Sequence, residues 1–333
     1  MILVTGATGL VGGHLLWHLL QKHEQIVALK RKTSNLTPLR TIFSFYTNEP
    51  DAWLKKIEWR DADILDLVSL RDAMQGITLV YHCAAVVSLG KGDDTLMDTN
   101  VLGTRNVVSV ALENKIDKLC FVSSIAACGF ADHGEMITEE TPWEKSNHKS
   151  LYAISKYKAE QEVWKAIQNG LNAVIVNPGV ILGVSGTNSG SSMIFEQSRK
   201  GMLFYTLGGS GYVDVQDVVK AMIQLMESNI SGERFILVSE NNSNKDILTL
   251  MAKGFKKPRP FINVNKSFLT LAGLLVESAG KILGFKPVID RSFAVSATNR
   301  SYYSAQKIKN ALDYRFKPVS QCIQEVCAFM LKR

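Results

Sequence analysis

The segment Tyr152-Ala153-Ile154-Ser155-Lys156 sets a phenol and an ammonium four residues apart in a stretch of helical spacing. Residues i and i+4 share one helix face, so the two groups can converge on a single site. A free tyrosine titrates near 10, too high for proton transfer at neutrality. A neighbouring ammonium stabilises phenolate and lowers that value, which would make Tyr152 a general acid or base. A third group lies upstream in Phe121-Val122-Ser123-Ser124, at the end of an apolar run. A hydroxyl from Ser124 could hydrogen-bond a substrate oxygen beside the phenol, where negative charge grows. Serines cap turns and helices as well, and Ser123 reads as a pocket-lining residue.

The second constellation opens the chain. Thr5-Gly6-Ala7-Thr8-Gly9-Leu10-Val11-Gly12-Gly13 joins a short apolar run to a helical pattern, with glycines at 6, 9 and 12. The first permits a tight turn, the second admits a pyrophosphate to the backbone, and the third lets helix and strand pack closely. The phosphates would meet the positive end of the helix. Dinucleotide binding is expected from Gly6, Thr8, Gly9, Leu10, Val11 and Gly12. The second strand ends in Lys30-Arg31-Lys32-Thr33-Ser34, with no acidic residue between 25 and 48. An NAD site usually places a carboxylate there; cations favour a 2′-phosphate. NADP is therefore expected through Arg31 and Lys32, with NAD as the alternative. Asp63 could accept from the adenine amino group with Ile64 on the ring; the competing role is a helix N-terminal signal, which suits Asp66 better. Ala84 and Ala85 are small enough to let backbone lie against the cofactor. His82 reads as a packed core residue. Asn100 is read equally as a structural residue and as one that holds backbone or water near Lys156. Lys156 can also hold ribose hydroxyls.

These groups need a scaffold. Apolar runs at 1–5, 25–29, 57–60, 79–83, 118–123 and 173–177 alternate with helical patterns at 10–22, 67–75, 96–114 and 152–168. The alternation predicts an α/β fold, a Rossmann-type doubly wound parallel sheet with ligands beyond the strands' carboxyl ends. A dinucleotide-binding domain is expected over 1–177, with 212–238 returning to it. A smaller substrate-binding region is expected from 178–211 and 239–333. Residues 183–192 (GVSGTNSGSS) read as a mobile loop or lid. Phe261, Phe268, Leu271, Leu274 and Phe285 would help wall the substrate pocket, although core packing is the commoner fate of such residues.

The 333 residues carry 38 basic and 31 acidic side chains, a net charge of +7. The basic residues are spread out and do not interleave with aromatics, which argues against nucleic-acid binding. They read as a solvated surface favouring anionic ligands. Five cysteines, an odd number without CxxC spacing, read as buried thiols of a cytoplasmic protein and not as a metal site. No apolar run reaches the ~18 residues of a membrane span, and the N-terminus enters a strand pattern directly, without a basic leader. A small-molecule substrate is the expected partner.

Taken together, TGATGLVGG (5–13), DIL (63–65), HCAA (82–85), NVLGT (100–104), FVSS (121–124), YAISK (152–156), NPG (177–179) and YVDVQDV (212–218) resemble the extended short-chain dehydrogenase/reductase superfamily. The resemblance covers nearly the whole chain. It implies hydride transfer with Tyr152 as acid/base, Lys156 as its partner and ribose anchor, Ser124 polarising the substrate oxygen, and Pro178-Gly179 flanking the nicotinamide. Ile125-Ala126 stand where sugar-nucleotide dehydratases carry Asp-Glu. Gly208 to Tyr212 stand where sugar-nucleotide enzymes commonly carry a diphosphate-binding Arg, and Cys128 replaces the epimerase Tyr. The chain is more similar to the dihydroflavonol reductase and 3β-hydroxysteroid dehydrogenase-like branch, which interconverts carbonyls and alcohols. The superfamily also implies a homodimer through two helices. An NADP(H)-linked carbonyl reductase or alcohol dehydrogenase is expected. A nucleotide-sugar epimerase is the first alternative; a cofactor-sensing regulator is the second, and the intact Tyr/Lys pair argues against it.

Overall fold

The computed structural model describes residues 1–87, 95–131, 134–143, 150–187, 190–265 and 298–333. Phe268, Leu271, Leu274 and Phe285 lie outside them, as does most of the apolar tail segment. Strand and helix alternate from the start: β1 (Ile2–Thr5), α1 (Leu10–Leu20), β2 (Ile26–Lys30), α2 (Thr37–Tyr46), α3 (Pro50–Leu54), β3 (Glu58–Asp61), α4 (Leu67–Ala73) and β4 (Leu79–His82). A short α5 (Thr95–Met97) runs through a π-helical turn, Asp98–Leu102, into α6 (Gly103–Glu113). Then come β5 (Lys118–Val122), a 3-10 turn at Ile125–Ala127, β6 (Met136–Ile137), α7 (Leu151–Gln168), β7 (Ala173–Pro178) and β8 (Val180–Leu182). The remainder is α8 (Ser191–Lys200), β9 (Phe204–Tyr205), β10 (Gly209–Asp214), α9 (Val215–Glu227), β11 (Glu233–Leu237), β12 (Glu240–Ser243), α10 (Asn244–Gly254), β13 (Ile262–Asn263), β14 (Tyr302–Tyr303), α11 (Gln306–Leu312) and α12 (Val319–Leu331).

Seven strands form the central sheet in the order β11-β7-β5-β4-β1-β2-β3. Every pair in it is parallel. Such a sheet must be covered on both faces, and its middle strands are accordingly buried along almost all of their length. One core lies under α1, α2 and α9, with Leu15, Leu16, Leu19, Phe43, Val218 and Met222 buried in it. The other lies under α4, α6 and α7, with Leu70, Val107, Val110, Ala159 and Val163. Chain order reverses between β1 and β4, so the crevice for a ligand opens beyond the carboxyl ends of those two strands.

A second, smaller sheet runs β12-β10-β8. Residues 212–214 pair there, while α9 and β11 return to the main body. Its own core joins Phe195, Ile247, Met251, Phe255, Val319, Ile323 and Val326 from α8, α10 and α12. Of residues 183–192, Gly183, Val184 and Ser192 are buried and Thr187 is exposed. His14 contacts the Val184 carbonyl at 2.8 Å, the Gly186 backbone lies against Pro38, and α8 already begins at Ser191. Gly183 and Gly186 allow close approach to Val215 and Pro38. Phe261 is 65% exposed.

Two buried histidines make the fold acid-sensitive. Burial, with the neighbouring His18 charge adding to it against the Val184 hydrogen bond, holds His14 down at about 4. Burial and the Lys156 charge hold His82 down at about 3. Between those values and 6.5 the unfolded chain binds protons that the folded chain refuses, so stability is complete above pH 6.5 and is lost as pH falls. Each histidine should remove roughly 2 kcal/mol of unfolding free energy between pH 7 and pH 5. Urea unfolding at the two pH values reads this directly, and equal midpoints would refute it.

Candidate functional site

The glycine turn lies at the reversal point of the sheet. Gly6 has φ +65°, and a Cβ on it would stand 2.5 Å from the Ala84 amide nitrogen after β4. A Cβ on Gly12 would overlap the Gly6 carbonyl oxygen. Both positions need glycine for backbone contact, one because two strand ends meet and one because α1 presses on its own turn. Gly9 is exposed, caps α1 without a side chain, and has open space apart from the Gly6 carbonyl. The Gly9 amide donates to the Gly6 carbonyl at 3.0 Å, and with no acidic residue in its first turn α1 leaves the N–H groups of Leu10 and Val11 to an anion. Thr8 is half-buried at the same turn. Gly13, which the sequence reading left without a role, faces Ile42 and Leu39 of α2.

Beside this turn a chain of hydrogen bonds fixes the end of β4. His82 Nδ1 lies 2.7 Å from Thr5 Oγ1 and Nε2 lies 3.0 Å from Thr104 Oγ1, which itself donates to the Asn100 carbonyl. That last bond assigns the proton to Nε2, so neutral His82 accepts from Thr5. Thr5 Oγ1 also accepts from the Ala84 amide at 3.2 Å. His82 is thus a packed, fully used core residue, and it holds the backbone of Ala84 and exposed Ala85 at the crevice.

At the end of β2, Lys30 is engaged by Asp61 of β3 at 2.6 Å. Lys30, which was not among the expected cofactor residues, stands opposite Asp61 where β2 and β3 pair. Arg31 and Lys32 are exposed and, among the described residues, lack an ion-pair partner. A tight turn, with the Arg31 amide donating to Ser34 Oγ at 3.0 Å and the Ser34 amide to the Arg31 carbonyl at 2.8 Å, presents them to solvent. Asp63 accepts from the Leu65 amide at 3.0 Å, and Asp66 is the N-cap of α4, accepting from Val68 and Ser69. Ile64 is buried against Gly103 of α6.

The proposed reacting groups meet at the end of β5. Ser150 caps α7, so Tyr152 falls in its first turn and Lys156 one turn further. The Tyr152 hydroxyl is hydrogen-bonded to Ser124. Ser124 Oγ also accepts from the Ala126 amide at 3.1 Å, capping the 3-10 turn. Lys156, 2% exposed, donates to the Val122 carbonyl at 2.8 Å and lies over the Phe121 ring. Burial lowers its ammonium to about 8, against the attraction of Glu160 and Cys83. Burial raises the Tyr152 phenol above its usual value, opposed by the Ser124 hydrogen bond. This direction is the reverse of the one read from spacing. Burial outweighs the favourable contacts, and Lys156 aims its ammonium at the strand rather than at the phenol.

Asn100, 1% exposed in the π-helical turn, accepts from the Val86 amide at 2.7 Å and donates to the Val86 carbonyl and to Ser155 Oγ. Of the two roles read from sequence, it here holds backbone: it ties the loop after β4 to α7. The extra residue of a π turn is what re-aims a side chain in this way. Asn177 at the end of β7 donates to the Ser124 carbonyl at 3.0 Å, and the Gly179 amide donates to the Leu237 carbonyl, so Pro178-Gly179 lies at the same sheet end. The five cysteines are free, all but Cys83 buried, and no group of metal-binding side chains occurs among the described residues. No helix among the described residues is long and apolar enough to cross a membrane.

The family model for the NAD dependent epimerase/dehydratase family matches residues 2–237. A protein of Synechocystis sp. named "Putative dihydroflavonol 4-reductase" is 30% identical over 97% of this chain and 92% of its own length. Cinnamoyl-CoA reductase 1 of Petunia hybrida is 25% identical over 98% of this chain and 90% of its own. The crystal structure of gox2253 superposes with a TM-score of 0.82 at 29% identity, covering 100% of this chain and 98% of that one. The match spans the glycine turn, the crevice and the Tyr-Lys helix alike. This chain belongs to the NAD-dependent epimerase/dehydratase family of extended short-chain dehydrogenases/reductases, an enzyme family with reductases among its members.

Proposed function

We propose that the chain is an NADP(H)-dependent oxidoreductase that interconverts a ketone or aldehyde and the corresponding alcohol. One observation carries the reading: Tyr152, bonded to Ser124, and Lys156 stand together at the end of β5, two strands from the glycine turn. The cradle fits a dinucleotide, since Gly6 and Gly12 leave no room for a Cβ and α1 is capped by exposed Gly9. Gly9, Leu10 and Val11 would hold the pyrophosphate, Arg31 and Lys32 a 2′-phosphate, and Lys156 the ribose hydroxyls. A bound nicotinamide supplies the hydride. Ser124 orients the substrate oxygen, and Tyr152 gives it a proton as negative charge develops there. A phenol kept protonated by burial has a proton to give in the reductive direction. The reductase names among the relatives, and the Ile125-Ala126 pair where a dehydratase needs an acid and a base, support this reading over elimination.

The test is a screen of NADPH oxidation against aldehydes, ketones and nucleotide sugars. Consumption of NADPH with a carbonyl substrate is expected. Epimerisation of a nucleotide sugar with no net change in NAD(P)H would replace this reading by its first alternative.

A further inference from the structure

One turn beyond Lys156 on α7 is Glu160, a carboxylate with no solvent exposure. The mechanism above does not use it, and a buried carboxylate needs a reason to be there. Four donors surround it. Ser123 Oγ donates at 2.6 Å and Asn177 Nδ2 at 2.9 Å to Oε2; an Arg234 guanidinium nitrogen donates at 2.9 Å and Trp164 Nε1 at 3.3 Å to Oε1. These donors come from β5, β7, β11 and α7, so the carboxylate knits three strand edges to the catalytic helix. A guanidinium and three neutral donors are what a carboxylate needs in order to be buried. Asn177 uses the same Nδ2 to donate to the Ser124 carbonyl. Ser123 is the immediate neighbour of Ser124. The network therefore reaches the Ser124 backbone, and Glu160 stands one helical turn from Lys156.

We propose that Glu160 is a positioning residue of the Tyr152–Lys156 centre: its negative charge favours the ammonium form of Lys156, and its bonds to Ser123 and Asn177 hold the β5 end that presents Ser124. The proposal rests on the assignment of Tyr152 and Lys156 as the reacting pair. Around Lys156 stand Tyr152 and Glu160 on its own helix, Cys83 and His82 at the end of β4, and the uncharged Phe121 and Val122 on β5; Arg234 of β11 faces Glu160. His82 and Cys83 are neutral near pH 7, burial lowering the first to about 3 and raising the second to about 12. Glu160 is thus the one carboxylate among these neighbours of the ammonium.

The experiment is a titration of Lys156 in the whole folded chain, read by NMR of 13Cε-labelled lysine and assigned with Lys156→Arg, with no substrate present. Glu160→Gln is expected to lower the Lys156 midpoint by about one pH unit, and Glu160→Asp to recover most of it. The alkaline limb of kcat should move to lower pH by the same amount, so kcat falls more at pH 9 than at pH 7. If Glu160→Gln does not fold because Arg234 is left unpaired, the double variant Glu160→Gln/Arg234→Gln, which removes that unpaired guanidinium, is read the same way. An unmoved Lys156 midpoint in a folded variant overturns the proposal even if the wild type is an active reductase. A wild type inactive on every carbonyl overturns the reductase reading instead, whatever the midpoint does.

Discussion

Replacing Tyr152 with Phe should lower kcat by roughly 10²–10⁴-fold, the usual contribution of a positioned acid or base. The same variant should bind NADPH within about a factor of two of wild type and unfold at nearly the same urea concentration. The reason lies in what the hydroxyl touches. Its hydrogen bond goes to Ser124, whose own cap on the Ala126 amide persists without it. The ring remains in the first turn of α7, where Ser150 provides the cap. Nothing in the glycine turn or at Arg31 changes. A loss of turnover with cofactor binding intact therefore separates proton transfer from cofactor positioning, and stopped-flow titration of NADPH fluorescence supplies the second half of that comparison. Ser124→Ala should lose less, because it removes an orienting donor and leaves the acid in place. If Tyr152→Phe kept more than a tenth of wild-type kcat, the proton would have to come from elsewhere.

Local patterns carried much of this in the sequence. Gly6, Gly9 and Gly12 are legible because a backbone turn and its steric demands sit within seven consecutive residues. Tyr152 and Lys156 are legible because helical period alone brings them to one face. A doubly wound parallel sheet is legible because strand–helix alternation and right-handed crossovers lead to it. What could not be read is whatever depends on pairs far apart in the chain. The Lys30–Asp61 pair is one of these, set by the register of β2 against β3. So are the contacts of His14 with Val184 and of Pro38 with Gly186. The Tyr152 phenol was expected to be acidified by Lys156, and spacing could not reveal that burial opposes this or that the ammonium is drawn to the Val122 carbonyl. Glu160 left one faint signal, a carboxylate flanked by Ala159 and Val163 on the buried face, four residues beyond Lys156. Its partners lie up to 74 positions away, and no period announces them.

Cofactor choice should turn on Arg31, because Lys30 is already neutralised by Asp61. A guanidinium can meet a 2′-phosphate with two parallel charge-assisted bonds, each stronger than a neutral one. Such bonds contribute about 1.5–3 kcal/mol, and this site is exposed, so the lower end applies. Arg31→Ala should therefore raise the KM for NADPH by about tenfold and leave that for NADH nearly unchanged. Arg31→Asp should go further, to about a hundredfold, since it adds repulsion against the phosphate. The same carboxylate can accept from the 2′-hydroxyl of NADH, so the KM for NADH should fall or stay level. Lys32→Ala should act in the same direction by only a few-fold, as a single flexible point charge. The ratio of kcat/KM values for the two cofactors, measured at low and at high salt, decides the matter. The wild-type preference for NADPH should shrink as salt rises, and the Arg31→Asp preference should invert. Equal losses with both cofactors would assign Arg31 to the protein surface and leave the 2′-phosphate without a ligand at the end of β2.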